Sequence, residues 1–215
     1  MNDDNLKKDL LYKALRYVPF QGWTQQSLKH AAKDLHIDDP KALRLFDDPI
    51  DKNMIIFFSH QADIRMIDEF ITHDLSTMSI RNKVALAIKI RLQQNIQYQE
   101  SIRRAVFIMM QPQNLMASMR CVYHTTNKIW YALKDKSTDY NFYTKRGLLG
   151  LVYISTLFYW LNDQSQGQHE SWVFLERRIQ EVLSIPKIIH NVKMLPAWVP
   201  SPRRFIRLWR KYDMN

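Results

Sequence analysis

The sequence predicts an all-α chain, and three observations carry that prediction. Only four glycines occur in 215 residues (Gly22, Gly147, Gly150 and Gly167), too few for the many tight turns of a sandwich or barrel. Leu, Lys, Gln, Met and Ala, all favoured in helices, are plentiful. Apolar residues recur at three- and four-residue spacing between breaks built from Pro, Gly and short polar runs. The length suits one domain with its own core, with room for a short appendage.

The elements follow in order. Within "LLYKALRYVPFQGWTQQSLKHAAKDLHIDDPKALRLFDD" a first helix stops at residues 19–22. Thr24 then caps a second helix with Leu28, Ala31, Ala32 and Leu35 at helical spacing, and Pro40 opens a short third. Residues 1–50 thus have a helix-turn-helix outline, which looks like the amino-terminal domain of TetR-type transcriptional regulators. Its reading element has the wrong charge for DNA: residues 36–53 hold five acids against Lys41, Arg44 and Lys52, whereas affinity for DNA comes from neutralising phosphates. Nucleic acid is not an expected partner, and a ligand-responsive repressor stands as the alternative function.

Longer helices are predicted at about 50–75, 80–97, 100–110, 113–134, 139–162 and 169–183, forming a bundle over residues 51–185. Ser137, Thr138 or Asp139 supplies the cap for the helix beginning near 139. The run 147–161 is apolar on almost every face, relieved by Ser155 and Thr156. It is shorter than the roughly 20 residues that span a bilayer, so it is expected in the middle of the bundle, enclosed by other helices or lining a cavity.

Charge is distributed unevenly. Residues 1–80 hold 10 Lys/Arg against 13 Asp/Glu, residues 81–104 hold 6 against 1, and residues 184–215 hold 7 against 1, within a total of +10. An acidic partner, phosphate or anionic lipid, should meet the middle and the tail first. Cys121 is the single cysteine, which excludes an internal disulfide and a cysteine-rich zinc site. The opening "MNDDNLKKDL" fits neither a secretory signal nor a transit peptide. The expected location is the bacterial cytoplasm, peripheral on the inner membrane, or the matrix side of the mitochondrial inner membrane after leader removal.

Reactive constellations are missing from the sequence. It has no Gly-rich phosphate loop, no His-Glu-x-x-His and no Glu-x-x-His pair, and its seven histidines are scattered. No catalytic residue, cofactor or metal is therefore expected, and the chain reads as something other than an enzyme. "FIMMQPQNLMASM" at 107–119 suits either core or a pocket for long flexible apolar ligands. With the apolar helix after it, it supplies the candidate lipid-binding residues Phe107, Met110, Met116, Leu151, Ile154 and Phe158.

At the C-terminus "SPRRFIRLWRKY" sets Phe205, Leu208, Trp209 and Tyr212 on one helical face, with Arg203, Arg204, Arg207 and Arg210 mostly on the others. A short basic amphipathic helix bearing Trp and Tyr is the pattern of a segment lying in a membrane interface. Residues 186–215 are read as a connector and this membrane-associating tail.

Three stretches carry a resemblance over residues 8–183. "DKSTDYNFYTKR" at 135–146, "WVFLERRIQ" at 172–180 and "ALRYVPFQGWT" at 14–24 resemble the ubiquinone (coenzyme Q) biosynthesis accessory proteins of the ninth Coq type. The resemblance implies a TetR-like fold that has given up DNA binding, a pocket for isoprenoid lipid or a ubiquinone precursor, and a membrane-seeking C-terminal helix. It also implies a surface patch that docks the pathway's membrane-bound hydroxylase, here Ile129, Trp130, Asp139, Phe142, Tyr143 and Arg146. Phe142 stands where relatives carry Trp, which keeps an aromatic ring but loses an indole donor. A homodimer is the expected assembly.

Overall fold

In the computed structural model the described residues are 3–134 and 140–191, with side chains described for 3–134 and 144–182. The chain divides after Ile179 into a unit Met1–Ile179 and a unit Gln180–Asn215. All regular elements among the described residues are helical.

Local punctuation acts as the sequence suggests. After α1 (Asp3–Ala14), the single turn α2 (Val18–Gln21) ends at Gly22, whose φ of +74° lies in the left-handed region that favours glycine. Thr24 then caps α3 (Gln25–Asp34): its hydroxyl accepts from the Ser27 amide, and the Ser27 hydroxyl accepts from the Thr24 amide. Leu28, Ala31 and Ala32 share the face that α3 buries against α1, and Pro40 sits in the first turn of α4 (Asp39–Arg44).

The first four helices are fastened to the bundle by aromatic contacts. Trp23 is buried and donates its indole N–H to the Ser101 carbonyl at 2.8 Å, while its ring meets Phe58 at 5.7 Å. Tyr12 approaches Tyr98 at 6.1 Å, and the Lys7 ammonium lies 5.0 Å from the rings of both Phe46 and Phe57.

The bundle comprises α5 (Ile50–Phe70), α6 (Ile80–Gln93), α7 (Gln99–Met109), α8 (Leu115–Ala132) and α9 (Tyr140–Asn162), followed by α10 (His169–Asn191). Ser79 caps α6 by accepting from the Asn82 amide. Asp163 organises the turn into α10, accepting from the Ser165 amide and from both the amide and hydroxyl of Ser171. Burial pushes its carboxyl up, but the hydrogen bonds from Ser165 and Ser171 win and hold it at about 2.

Three expectations are corrected. The fifth helix ends at Phe70 rather than near 75, where the Thr72 hydroxyl binds the Glu69 carbonyl and turns the chain. The last helix runs to Asn191 and carries Pro186 within it, instead of stopping at 183. Of the two courses open to α9, full enclosure is the one overturned and lining a cavity, through Tyr153 and Leu157, holds: it packs on α6, α7 and α8, and Leu151 on its outer face remains 65% exposed. No helix is long and apolar enough to cross a membrane, among the described residues.

Candidate functional site

A cavity of about 110 Å³ lies among α5, α6, α7, α8 and α9. Ile55, Phe58, Leu92, Ile102, Val106 and Leu157 give it an apolar wall. Gly150 lets α9 approach α8 closely on one side: a Cβ there would stand 3.1 Å from a methyl of Val122, itself a lining residue.

One end of the cavity is polar. Arg91 and Asp63 are both buried and meet at 2.7 Å through Nε and Oδ1. The Arg91 Nη2 donates to the Ser59 hydroxyl at 3.0 Å, and the guanidinium lies 5.2 Å from the Tyr153 ring centre. Thr125 donates to Asp63 Oδ1 at 2.9 Å, while Asp63 Oδ2 pairs with Nδ1 of His124 at 2.8 Å. The His124 ring lies against that of His60 at 4.3 Å. Asp63 therefore holds three partners, and its charge is matched inside the protein.

The electrostatics follow from this arrangement. Burial pushes the Asp63 carboxyl up, but Arg91, with hydrogen bonds from His124 and Thr125, outweighs burial and leaves it below the usual carboxylate range. Tyr153 is raised by burial against the opposing pull of Arg91. Cys121 is pushed by burial to about 11 and stays a thiol at neutral pH, without the thiolate character a nucleophile needs. His60 is lowered by burial first and by His124 second.

Chemically, the site offers hydrogen bonding in an apolar setting. Arg91 Nη1 and the Tyr153 hydroxyl both belong to lining residues and make no hydrogen bond among the described residues. They can address an oxygen on a molecule seated against the apolar wall. No group of three or more His, Cys, Asp or Glu suited to a metal ion occurs among the described residues.

The structure places the expected lipid-binding residues elsewhere. Phe107, Met110, Met116, Leu151 and Phe158 are exposed, Ile154 is half-buried, and none of the six lines the cavity. Their immediate neighbours Val106, Met109, Tyr153 and Leu157 line it instead. One residue along a helix turns the side chain by about 100°, enough to exchange inner for outer face. The expected partner patch is split in the same way. Ile129 is buried, and so is Arg146, which donates from Nε to Asn127 at 2.9 Å. Trp130 is half-buried, gives its indole N–H to the Lys145 carbonyl and lies under the Lys145 ammonium at 5.3 Å. Tyr131, not among the expected residues, is 81% exposed beside it. Asp139, the side chains of Phe142 and Tyr143, and the tail residues Arg203, Arg204, Phe205, Arg207, Leu208, Trp209, Arg210 and Tyr212 lie outside the described residues.

Sequence reasoning missed Asp63, Arg91 and His124, although for Asp63 and Arg91 the signal was present. Asp63 falls in register with Met66 and Phe70, and Arg91 with Val84, Ala87 and Ile88, on faces that are otherwise apolar. Two opposite charges at such positions, on consecutive helices that pack together, predict a buried ion pair.

Comparison with known proteins bears on this arrangement. The COQ9 family model matches residues 115–186, which begin at α8 and reach into α10. The ubiquinone biosynthesis protein COQ9, mitochondrial, of Homo sapiens is 27% identical over 199 residues, which cover 89% of this chain and 62% of that protein. COQ9-B of Xenopus laevis is 27% identical over 198 residues, with 89% and 67% covered. The probable ubiquinone biosynthesis protein coq9, mitochondrial, of Dictyostelium discoideum is 26% identical over 194 residues, with 87% and 63% covered. The chain thus spans 62% of the length of the human relative. Among solved structures, a TetR transcriptional regulator of Nitrosomonas europaea superposes with a TM-score of 0.68 at 16% identity, covering 84% of this chain and 99% of that one, a likeness of fold alone. By these matches the chain is similar to the COQ9 ubiquinone biosynthesis proteins, and its helical fold is TetR-like.

Proposed function

We propose that the chain is a non-catalytic accessory protein of ubiquinone biosynthesis that binds an isoprenoid lipid or quinone intermediate and presents it to a membrane-associated hydroxylase. The observation that carries this reading is the cavity with one polar end. Its volume of about 110 Å³ is of the order of the engineered cavities that admit a single benzene ring. A ring with oxygen substituents fits its chemistry: the apolar wall takes the ring faces, and Arg91 and Tyr153 meet an oxygen. A long isoprenoid tail exceeds that volume and would leave along the apolar outer surface, where each Å² shielded from water contributes about 25 cal/mol. The patch around Trp130 and Tyr131 is the place for the hydroxylase, and the basic tail is the membrane anchor.

Lipid extracted from the purified full chain and identified by mass spectrometry tests this reading. Polyprenylated aromatic compounds should co-purify, and Ala105→Phe, which fills the cavity, should deplete them without unfolding the chain. A wild-type protein carrying no such compound, or one that binds a single operator at nanomolar concentration in a salt-dependent way, would replace the reading with the repressor or a plain scaffold.

A further inference from the structure

The corner between α7 and α8 combines features that the cavity does not use. Phe107 is 75% exposed, and Met110, Leu115, Met116 and Met119 are between 52% and 62% exposed. The two helices are joined by a tight turn that Asn114 secures, donating from its side chain to the Ile108 carbonyl at 3.0 Å. Phe107 lies on the last turn of α7 and Met110 caps that helix three residues on, while Met116 and Met119 share one face of α8. Five large, flexible or aromatic side chains are thus held in water around one turn. Such an exposed apolar group marks an interaction surface.

Charge decides what that surface meets. From residue 101 to residue 134 the chain has no acid and five cations: Arg103, Arg104, Arg120, Lys128 and Lys134. Arg103 and Arg104 lie within one turn N-terminal of Phe107, both exposed, and share the single carboxylate of Glu100. Arg120 adjoins Met116 and Met119 on α8, exposed and without an ion pair among the described residues. The occupant is therefore anionic. A second copy of the same corner would set cations against cations, and the chain's own tail, with seven cations against one acid over 184–215, is no better matched.

We infer that this corner is a membrane-contacting surface, seating Phe107, Met110, Leu115, Met116 and Met119 among the acyl chains of an anionic bilayer while Arg104 and Arg120 meet the headgroups. Apolar side chains at the centre and Arg at the rim are what such an interface selects, and Met adapts to its irregular packing. This contact is separate from the basic tail and does not depend on the identity of any bound lipid. Two contacts, each weak and reversible, would set the chain's orientation on the surface where one alone would let it swing.

The test is co-sedimentation of the full chain with phosphatidylglycerol–phosphatidylcholine vesicles and with pure phosphatidylcholine vesicles. The variant Phe107→Ser, Met116→Ser, Met119→Ser should lose affinity for anionic vesicles by about tenfold or more, because three apolar groups that would enter the bilayer are removed. Arg104→Gln with Arg120→Gln should keep residual binding but lose most of the preference for anionic over neutral vesicles, an effect that raised salt should reproduce. Circular dichroism should show both variants folded with melting temperatures near wild type, since the altered side chains are exposed. A tail variant with Arg204, Arg207 and Arg210 changed to Gln should weaken binding additively with the corner variant. The inference is overturned if vesicle binding is unchanged in the corner variant, if the tail variant alone abolishes it, or if the corner variant instead changes the oligomeric mass in solution.

Discussion

The first four helices and the bundle that follows treat charge in opposite ways. In α1, α3 and α4 the inward positions are apolar and closed: Leu10, Leu11, Leu28, Ala31, Ala32 and Ala42 have no accessible surface, while the acids lie outside. In α5 to α9 Asp63, Arg91 and Arg146 are buried, a cavity remains, and Phe107, Met110 and Leu151 stand in water. The first region is thus held by apolar packing, with its charges left in water. The second region combines incomplete packing with buried polarity. A protein core normally tolerates neither, so their joint presence marks function more clearly than either alone.

The largest expected effect breaks an ion pair in each region. Asp63→Ala leaves the buried Arg91 without its counter-charge and should cost about 3–5 kcal/mol. Asp34→Ala, which removes an exposed partner of Lys13 at 3.7 Å and of the Tyr17 hydroxyl at 2.7 Å, should cost about 1 kcal/mol or less. Urea denaturation of the two variants checks the contrast. Equal losses would show that the buried pair carries no special burden, and the comparison would fail.

Next in size is a pair of core enlargements. Ala31→Leu forces extra methylenes into the closed core of α3 and should destabilise by about 1–3 kcal/mol. Ala105→Val points into the cavity and should be neutral or stabilising by about 0.5–1 kcal/mol, because it fills space already empty. Thermal melting of both variants decides it. A loss at Ala105 as large as at Ala31 would mean that the cavity walls are as unyielding as the amino-terminal core.

How much of this was legible follows from the same contrast. The fold class, the Thr24 cap, the break at 19–22 and the spacing of α6 to α9 could be read because periodicity and capping act locally. The cavity could not be read, because which of two adjacent residues faces inward depends on the neighbouring helix. Val106 rather than Phe107 lines it, and Tyr153 rather than Ile154, a difference of one position that composition does not register. Asp63 and Arg91 needed a comparison across two helices rather than along one. Their partner His124 is a further 33 residues beyond Arg91, in a helix where nothing local distinguishes it.

The smallest expected effect lies in pH, and it sharpens the same comparison because its source is confined to the bundle. His60 faces His124, Asp63, Lys128 and Arg91, and its pKa in the folded chain lies below the value of about 6.5 of an unfolded chain. Between those two values the unfolded chain binds more protons, so stability rises with pH across the window. As pH falls, stability starts to decline below about 6.5, and the decline levels off once pH passes the folded value. Asp63 adds a second stage: its folded pKa is below the unfolded value of about 3.9, so its contribution is fully present above that pH and is lost as pH falls through the folded value. Asp163, held at about 2, loses its contribution in the same acid window. Chemical denaturation from about pH 2 to about pH 8, a range that spans both stages, should therefore show a shallow slope below about 6.5 in wild type that flattens in His60→Gln, while the acid stage persists. If the shallow slope survives in His60→Gln, the titrating group lies elsewhere. The contact between His60 and His124 would then contribute packing to the polar end of the cavity and no pH dependence.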